Sequence, residues 1–287
     1  MPVRTLRVPL SDPVRALDVR NPAGSVTVRA EEDATELVVT LTSENDAAEQ
    51  VLDRVDLFAT DGTLRVAVPD RRLVRSPRMA VEVLTPPDAA VEVAVGAADV
   101  DLHGRLGATT VTLASGDLEV ERCTQLQVRS ASGDVHAGTV TGDATVTTAS
   151  GDVQAGSVGG ELQVSTATGD VTVTDAGGDV GVSTATGDIL VARARRGTVR
   201  LKTVSADATV AVEPGLRLWL DVQTLTGRFT SDLDDHGPGG EGPADLSVLL
   251  QTVSGDLRVR RAAPAPPAAP APPAPPAAPV PPAAPVV

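Results

Sequence analysis

Five Gly-Asp pairs recur at nearly constant spacing: Gly116-Asp117, Gly133-Asp134, Gly151-Asp152, Gly169-Asp170 and Gly187-Asp188, in steps of 17, 18, 18 and 18 residues. Stacked carboxylates can do two kinds of chemistry. They can accept backbone N–H groups of the turns that carry them, while Gly supplies the positive φ of a sharp turn. They can also ligate calcium, a hard cation that takes oxygen ligands. Calcium-binding β-rolls repeat Gly-Gly-x-Gly-x-Asp-x-x-x every nine residues, whereas here the pair is strong only every 18. Turn chemistry is therefore the expected role of Asp117, Asp134, Asp152, Asp170 and Asp188. No metal ligand set, cofactor site or catalytic residue is assigned.

Other polar groups follow the same spacing or cluster nearby. Ser130, Thr148, Thr166, Thr184 and Thr203 keep one offset from the turns, and are expected to satisfy turn backbone groups from inside. Asp99, Asp101, His103 and Arg105 are the densest set that could act in acid–base chemistry. Strand alternation places them on one outward face, as on any solvated strand. Cys123 is the single cysteine, with no fixed His partner in the pattern. It reads as an incidental thiol, and neither a disulfide within the chain nor a cysteine zinc site is possible. Thr110, Thr112, Gln127, Thr145, Thr147, Gln163, Ser165 and Ser183 form an outer polar face. Gln163, Gly181, Arg200 and Lys202 interrupt it, so it reads as a solvated sheet and not as an ice-binding array.

These residues must be positioned by a repeat. Between the strong turns stand weaker ones, in "TGDATV", "GGELQV", "GGDVGV" and "RGTVRL". Each nine-residue half alternates apolar and polar residues at period two, as a strand does. Val111 and Leu113, Leu126 and Val128, Ala144 and Val146, Leu162 and Val164, Val180 and Val182, and Val199 and Leu201 form one inward set. Leu118 and Val120, Val135 and Ala137, Val153 and Ala155, Val171 and Val173, and Ile189 and Val191 form the facing one. Stacking about 18 residues per coil, two halves each, gives an all-β chain, a β-solenoid with a thin core. The composition agrees: one Trp, two Phe and no Tyr among 287 residues would fill a thick core poorly, but suffice between sheets about 10 Å apart.

The solenoid is expected over residues 1–261, irregular over 1–105 and regular over 106–261. "SENDAAEQVLDRV" is the one expected helix, with Ser43 as cap and Val51, Leu52 and Val55 as its apolar face, placed to cover an open end. "HGPGGEGPA" at 236–244 is expected as a surface loop. Residues 262–287 hold only Pro, Ala and Val, with twelve Pro. They are expected as a disordered, extended tail, in which Arg261, Pro264 and Pro267 formally match an R-x-x-P-x-x-P peptide ligand. A net charge of −14 disfavours nucleic acid and anionic membrane surfaces. The N-terminal stretch lacks an apolar signal region, and no apolar run spans a bilayer, so the expected location is cytoplasmic.

The run of "ASGDV", "ATGDV" and "ATGDI" turns, preceded by looser strands and followed by "SGDLRVRR", resembles a bacterial β-strand-repeat family of unknown function that carries an adhesin label. The resemblance spans residues 15 to 261 and implies a surface-binding role without catalytic residues. The expected function is a non-enzymatic, adhesin-like binding or scaffold module, acting through a protein partner or self-association. The alternative is a self-assembling cytoplasmic scaffold similar to bactofilins, and a polysaccharide-acting β-helix enzyme is a distant third.

Overall fold

Alternating apolar residues build the expected coils. The computed structural model describes residues 2–9, 15–34, 36–60, 62–69, 76–233 and 244–262. The expected tail lies outside these except for Ala262, which is buried and donates its N–H to the Val212 carbonyl, and nearly all of the 236–244 loop lies outside them as well. One arm of each regular coil is a straight strand: Ala144–Ser150, Leu162–Ser165, Val180–Thr186 and Gly197–Ser205. The other arm comprises Val135–Val140, Val153–Val158, Val171–Ala176, Ile189–Ala194 and Ala208–Val212. Successive coils pair in parallel, with Val146 beside Val164, Val164 beside Val182 and Val182 beside Leu201. Every residue of both inward sets is buried.

Two details of the winding differ from the sequence reading. The first inward pair aligns as Thr109 beside Leu126 and Val111 beside Val128, two residues from the expected match. Thr109 is buried and donates its Oγ1 hydrogen to the Gly107 carbonyl at 3.2 Å, which makes a hydroxyl tolerable in the column. Leu113 then stands at the head of the Ser130 row. Second, the two halves are not equivalent. In the second arm two successive residues turn away from the core, as at Gly156 and Ser157, before the chain returns inward. This bend adds a third apolar column, made of Leu106, Cys123, Val140, Val158, Ala176, Ala194 and Val212.

The order of stacking departs from the order of the chain at both ends. Ala16–Ala30 lies one coil inside the N-terminal end, between Thr63–Ala67 and Arg78–Thr85 on one side and Ala90–Ser115 on the other. Antiparallel strands follow outward: Asp56–Thr60 on one arm, Glu36–Ser43 and Val3–Pro9 on the other. Between them runs the short helix Asp46–Glu49 and a 3₁₀ turn at Leu52–Arg54. Its cap is Asn45, whose Oδ1 accepts the Ala48 N–H at 2.8 Å. Ser43, the expected cap, ends a strand instead, buried and donating its hydroxyl to the Pro2 carbonyl. Ala48, Val51, Leu52 and Val55 are buried in the main core, so this segment plugs the end of the stack as expected. At the other end, Leu246–Ser254 slots between Gly197–Ser205 and Leu218–Thr226. The later segment thus fills the inner position, and Leu218–Thr226 with Phe229–Asp232 forms the outermost coil.

Candidate functional site: a carboxylate ladder along the coil turns

The Gly-Asp turns form one continuous line of hydrogen bonds. Asp99 Oδ1 accepts the Asp117 backbone N–H at 3.1 Å, and Asp117 accepts that of Asp134 at 2.9 Å. Asp134, Asp152 and Asp170 each accept the next Asp N–H at 2.8 Å. Asp188 accepts from Asp207 at 3.0 Å, Asp207 from Asp256 at 2.7 Å, and Asp256 from Arg228 at 2.8 Å. The carboxylates therefore bind the neighbouring coil, and the ladder follows the stacking order, not the chain order. It ends at Arg228, where a cation replaces the acid.

The five Gly-Asp turns use glycine for two reasons, while the Ala206-Asp207 rung is made without it. Gly151 has φ 120°, and a Cβ there would lie 2.2 Å from the Gly133 carbonyl oxygen of the adjacent coil. The close approach of turn to turn brings each carboxylate within reach of the next amide. A broken second row lies across the coil, where Asp143 accepts the Glu161 N–H and Asp179 that of Thr198, both at 2.8 Å. Its signal in the sequence was the weaker half-repeats.

Neighbouring carboxylates about 4.8 Å apart repel by about 1 kcal/mol in water. A hydrogen bond to a charged group contributes about 1.5–3 kcal/mol, so each rung outweighs the repulsion. On that balance turn chemistry alone accounts for the row. Asp170→Asn keeps an acceptor oxygen and removes one charge, and should change stability by less than about 1 kcal/mol. Asp170→Ala removes the acceptor for Asp188 and should cost about 1–2 kcal/mol, because the freed amide is open to water. Thermal melts in chelator and in millimolar calcium should superimpose for the parent chain. A calcium-dependent rise that vanishes in Asp170→Asn would show the row to be a metal site.

The inner hydroxyl row matches its expected role over four coils. Ser130, Thr148, Thr166 and Thr184 each donate to the carbonyl two residues on, at 3.0–3.2 Å. Thr203 departs from it: among the described residues its buried hydroxyl has no partner, and the same holds for Thr252 and Thr224 in the next two coils. The Asp99 to Arg105 set is not assembled into one constellation. Asp99 is engaged with the Asp117 amide, while Arg105 forks onto Asp88 at 2.9 and 3.0 Å and pairs with Glu32 at 3.2 Å. Those carboxylates raise the Arg105 pKa above its ordinary value, chiefly through the Asp88 hydrogen bonds. Asp101 and His103 lie half-buried beside Thr27 and Arg29, and His136 is exposed between Glu119 and Gln154.

Cys123 lies in the third apolar column, 1 % exposed. Burial pushes its thiol up to about 11, against a smaller lowering by Thr109. The expected incidental thiol is thus a protonated core side chain. At the terminal coil Arg217 forks onto Asp245 with two contacts of 3.1 Å. This pairing holds the Asp245 carboxyl below the usual carboxylate range and raises the Arg217 guanidinium. Asp245 therefore favours folding above the ordinary carboxylate pKa, and that contribution fades as pH falls through its lowered value. Among the described residues no cluster of three His, Cys, Asp or Glu could hold a metal ion, and no helix is long and apolar enough to cross a membrane.

No curated protein matches this chain. Several solved structures resemble it, three of them as follows. One, provisionally described as a cell adhesion protein from Clostridium sporogenes, is 10% identical over 91% of this chain and 99% of that one, with a TM-score of 0.27. Another, provisionally described as an adhesin from Bacteroides fragilis, is 11% identical over 91% and 97% of the two chains, with a TM-score of 0.45. The third, provisionally described as a lipid binding protein from Parabacteroides distasonis, is 14% identical over 90% and 96%, with a TM-score of 0.48. The family model of Toastrack DUF4097 matches residues 14–260, almost all of the β-solenoid with its turn ladder, and the chain belongs to that family.

Proposed function

We propose that the protein is a non-enzymatic, adhesin-like binding module that presents the lateral faces of its solenoid to a protein partner, in the cytoplasm. The observation that carries this reading is the stacking of outward side chains in fixed register. Thr110, Gln127, Thr145, Gln163, Gly181 and Arg200 form one column. Glu119, His136, Gln154, Thr172, Leu190 and Thr209 form another on the opposite arm. Each strand is bonded on both sides, so the columns are held before any partner arrives. Preorganisation of this kind lowers the ordering cost of binding. The net charge of −14 supports a protein partner over nucleic acid or an anionic membrane. A bactofilin-like filament is the weaker reading, because the N-terminal end is plugged by the helical segment.

The test places a photo-cross-linking residue at Gln163 or at Gln154, one on each arm, in the full chain expressed in its native host. A discrete adduct with another protein is expected from one of the two faces. Adducts only between copies of this chain would remove the reading, as would release of new reducing ends from a panel of polysaccharides.

A further inference from the structure

The two ends of the solenoid are built differently. At the N-terminal end the helical segment fills the core, and the edge strand Val3–Pro9 carries Arg4, Arg7 and Pro9. Charge and proline on an edge strand discourage pairing with other chains. At the C-terminal end the edge strand is Leu218–Thr226, "LWLDVQTLT", with a single charge and no proline. Among the described residues it pairs only on its inner side, with Leu246–Ser254. Its core-facing Leu218, Leu220 and Val222 are only half-buried, since no further coil among the described residues covers them. Trp219 is 50% exposed and Leu225 80%.

An exposed corner column shows the same change. It is alanine in four regular coils, Ala131, Ala149, Ala167 and Ala185, and becomes Val204, Val253 and then Leu225 toward this end. Residues 216–233 carry Arg217, Asp221, Arg228 and Asp232, two charges of each sign, in a chain of net charge −14. The end is thus apolar, locally neutral and open along one strand edge.

We propose that this end is a homodimer interface, in which Leu218–Thr226 pairs antiparallel with the same strand of a second copy about a two-fold axis. A register centred on Val222 is self-complementary. It sets Trp219 against Leu225 of the copy, Asp221 against Gln223, and Val222 against itself, with no like charges opposed. Because the contact uses the same end of both chains and the opposite ends are blunted, assembly stops at two. The Pro/Ala tail is the less fitting occupant. An edge strand needs alternating N–H donors and carbonyl acceptors, and twelve of the residues after Arg261 are prolines without a donor. The proposal does not depend on what the lateral faces bind.

Sedimentation velocity of the full chain over about 1–100 μM, a range that brackets typical weak to moderate dimer affinities, should show a species of twice 29.2 kDa. A monomer throughout, or species larger than two chains, overturns the proposal. Both residues to be changed are exposed, so the fold should survive, and circular dichroism melts check this. Trp219→Lys and Leu225→Glu should each weaken the dimer at least tenfold. The double variant should recover it, since each new cation then faces a new carboxylate on the copy. Dimers untouched by the single changes, or a double variant that stays monomeric, refute the Val222-centred pairing. Deleting residues 263–287 should leave the dimer intact; loss of the dimer on deletion would give the interface to the tail.

Discussion

Val164→Asp should be the most damaging single change in the regular coils. Val164 is fully buried, between Val146 in one neighbouring coil and Val182 in the other. The substitution forfeits about 1.5–3 kcal/mol of apolar burial and puts a carboxyl where no donor awaits it. An unpaired polar group in such a site costs several kcal/mol more, and the carboxyl would stay protonated to avoid a larger penalty. The sum, about 4–7 kcal/mol, is comparable with the whole stability of a domain, about 5–15 kcal/mol. Thr172→Asp, half-buried on the outward side of the facing arm beside Gln154 and Leu190, should cost less than about 1 kcal/mol, as surface changes do. Thermal melts of the two variants read the difference. Because coils contact only their neighbours, the Val164→Asp melt should also broaden, with the flanking coils failing separately. Equal melting points would mean that the inward and outward assignment is wrong.

That assignment was legible in the sequence because residue types repeat where the physics repeats. Gly and Asp mark each turn, and Leu162 and Val164 keep the offset of Val180 and Val182 from the next pair. The third column was not legible. "VQAGSV" reads as plain alternation until two successive residues leave the core at Gly156 and Ser157, and a bend of that kind carries no strong residue signature. Cys123 therefore looked incidental at the sequence level, although it occupies a full place in that column.

Stacking order was hidden for a deeper reason. Turn chemistry sets the length of a coil but not which coil lies beside it. The worn copy "QTLTGRF" precedes the clean copy "QTVSGDLRV" in the chain, yet lies outside it in the stack. A coil with two neighbours is constrained on both sides, whereas a terminal coil is constrained on one. Arg228 in the place of Asp is tolerated because no further coil among the described residues needs its carboxylate. The Ala206-Asp207 turn, which lacks the glycine yet lies between the Asp188 and Asp256 coils, keeps its carboxylate because the Asp256 amide uses it.

The turns themselves give the second large expected effect. Gly151→Ala should destabilise the protein by about 2–6 kcal/mol, from two separable causes. A non-glycine residue at φ 120° is strained by about 1–3 kcal/mol. The added methyl would also stand 2.2 Å from the Gly133 carbonyl oxygen, and since that contact is backbone, relief requires the coils to part at a further cost of about 1–3 kcal/mol. Gly215→Ala isolates the first cause. Gly215 has φ 90° with no atom within 4 Å of an added Cβ, so only the strain of about 1–3 kcal/mol applies. At about 2–4 °C per kcal/mol for a chain of this size, Gly151→Ala should melt several degrees below Gly215→Ala. Hydrogen exchange should further show faster exchange of the Asp152 amide in Gly151→Ala, because the added methyl meets only the Gly133 coil and the parting lengthens the Asp134–Asp152 rung, while the Asp170 amide in the next gap serves as control. If the two alanine variants melt alike and the Asp152 amide keeps its protection, turn conformation alone explains the glycines, and close stacking is not what holds the carboxylate ladder in reach.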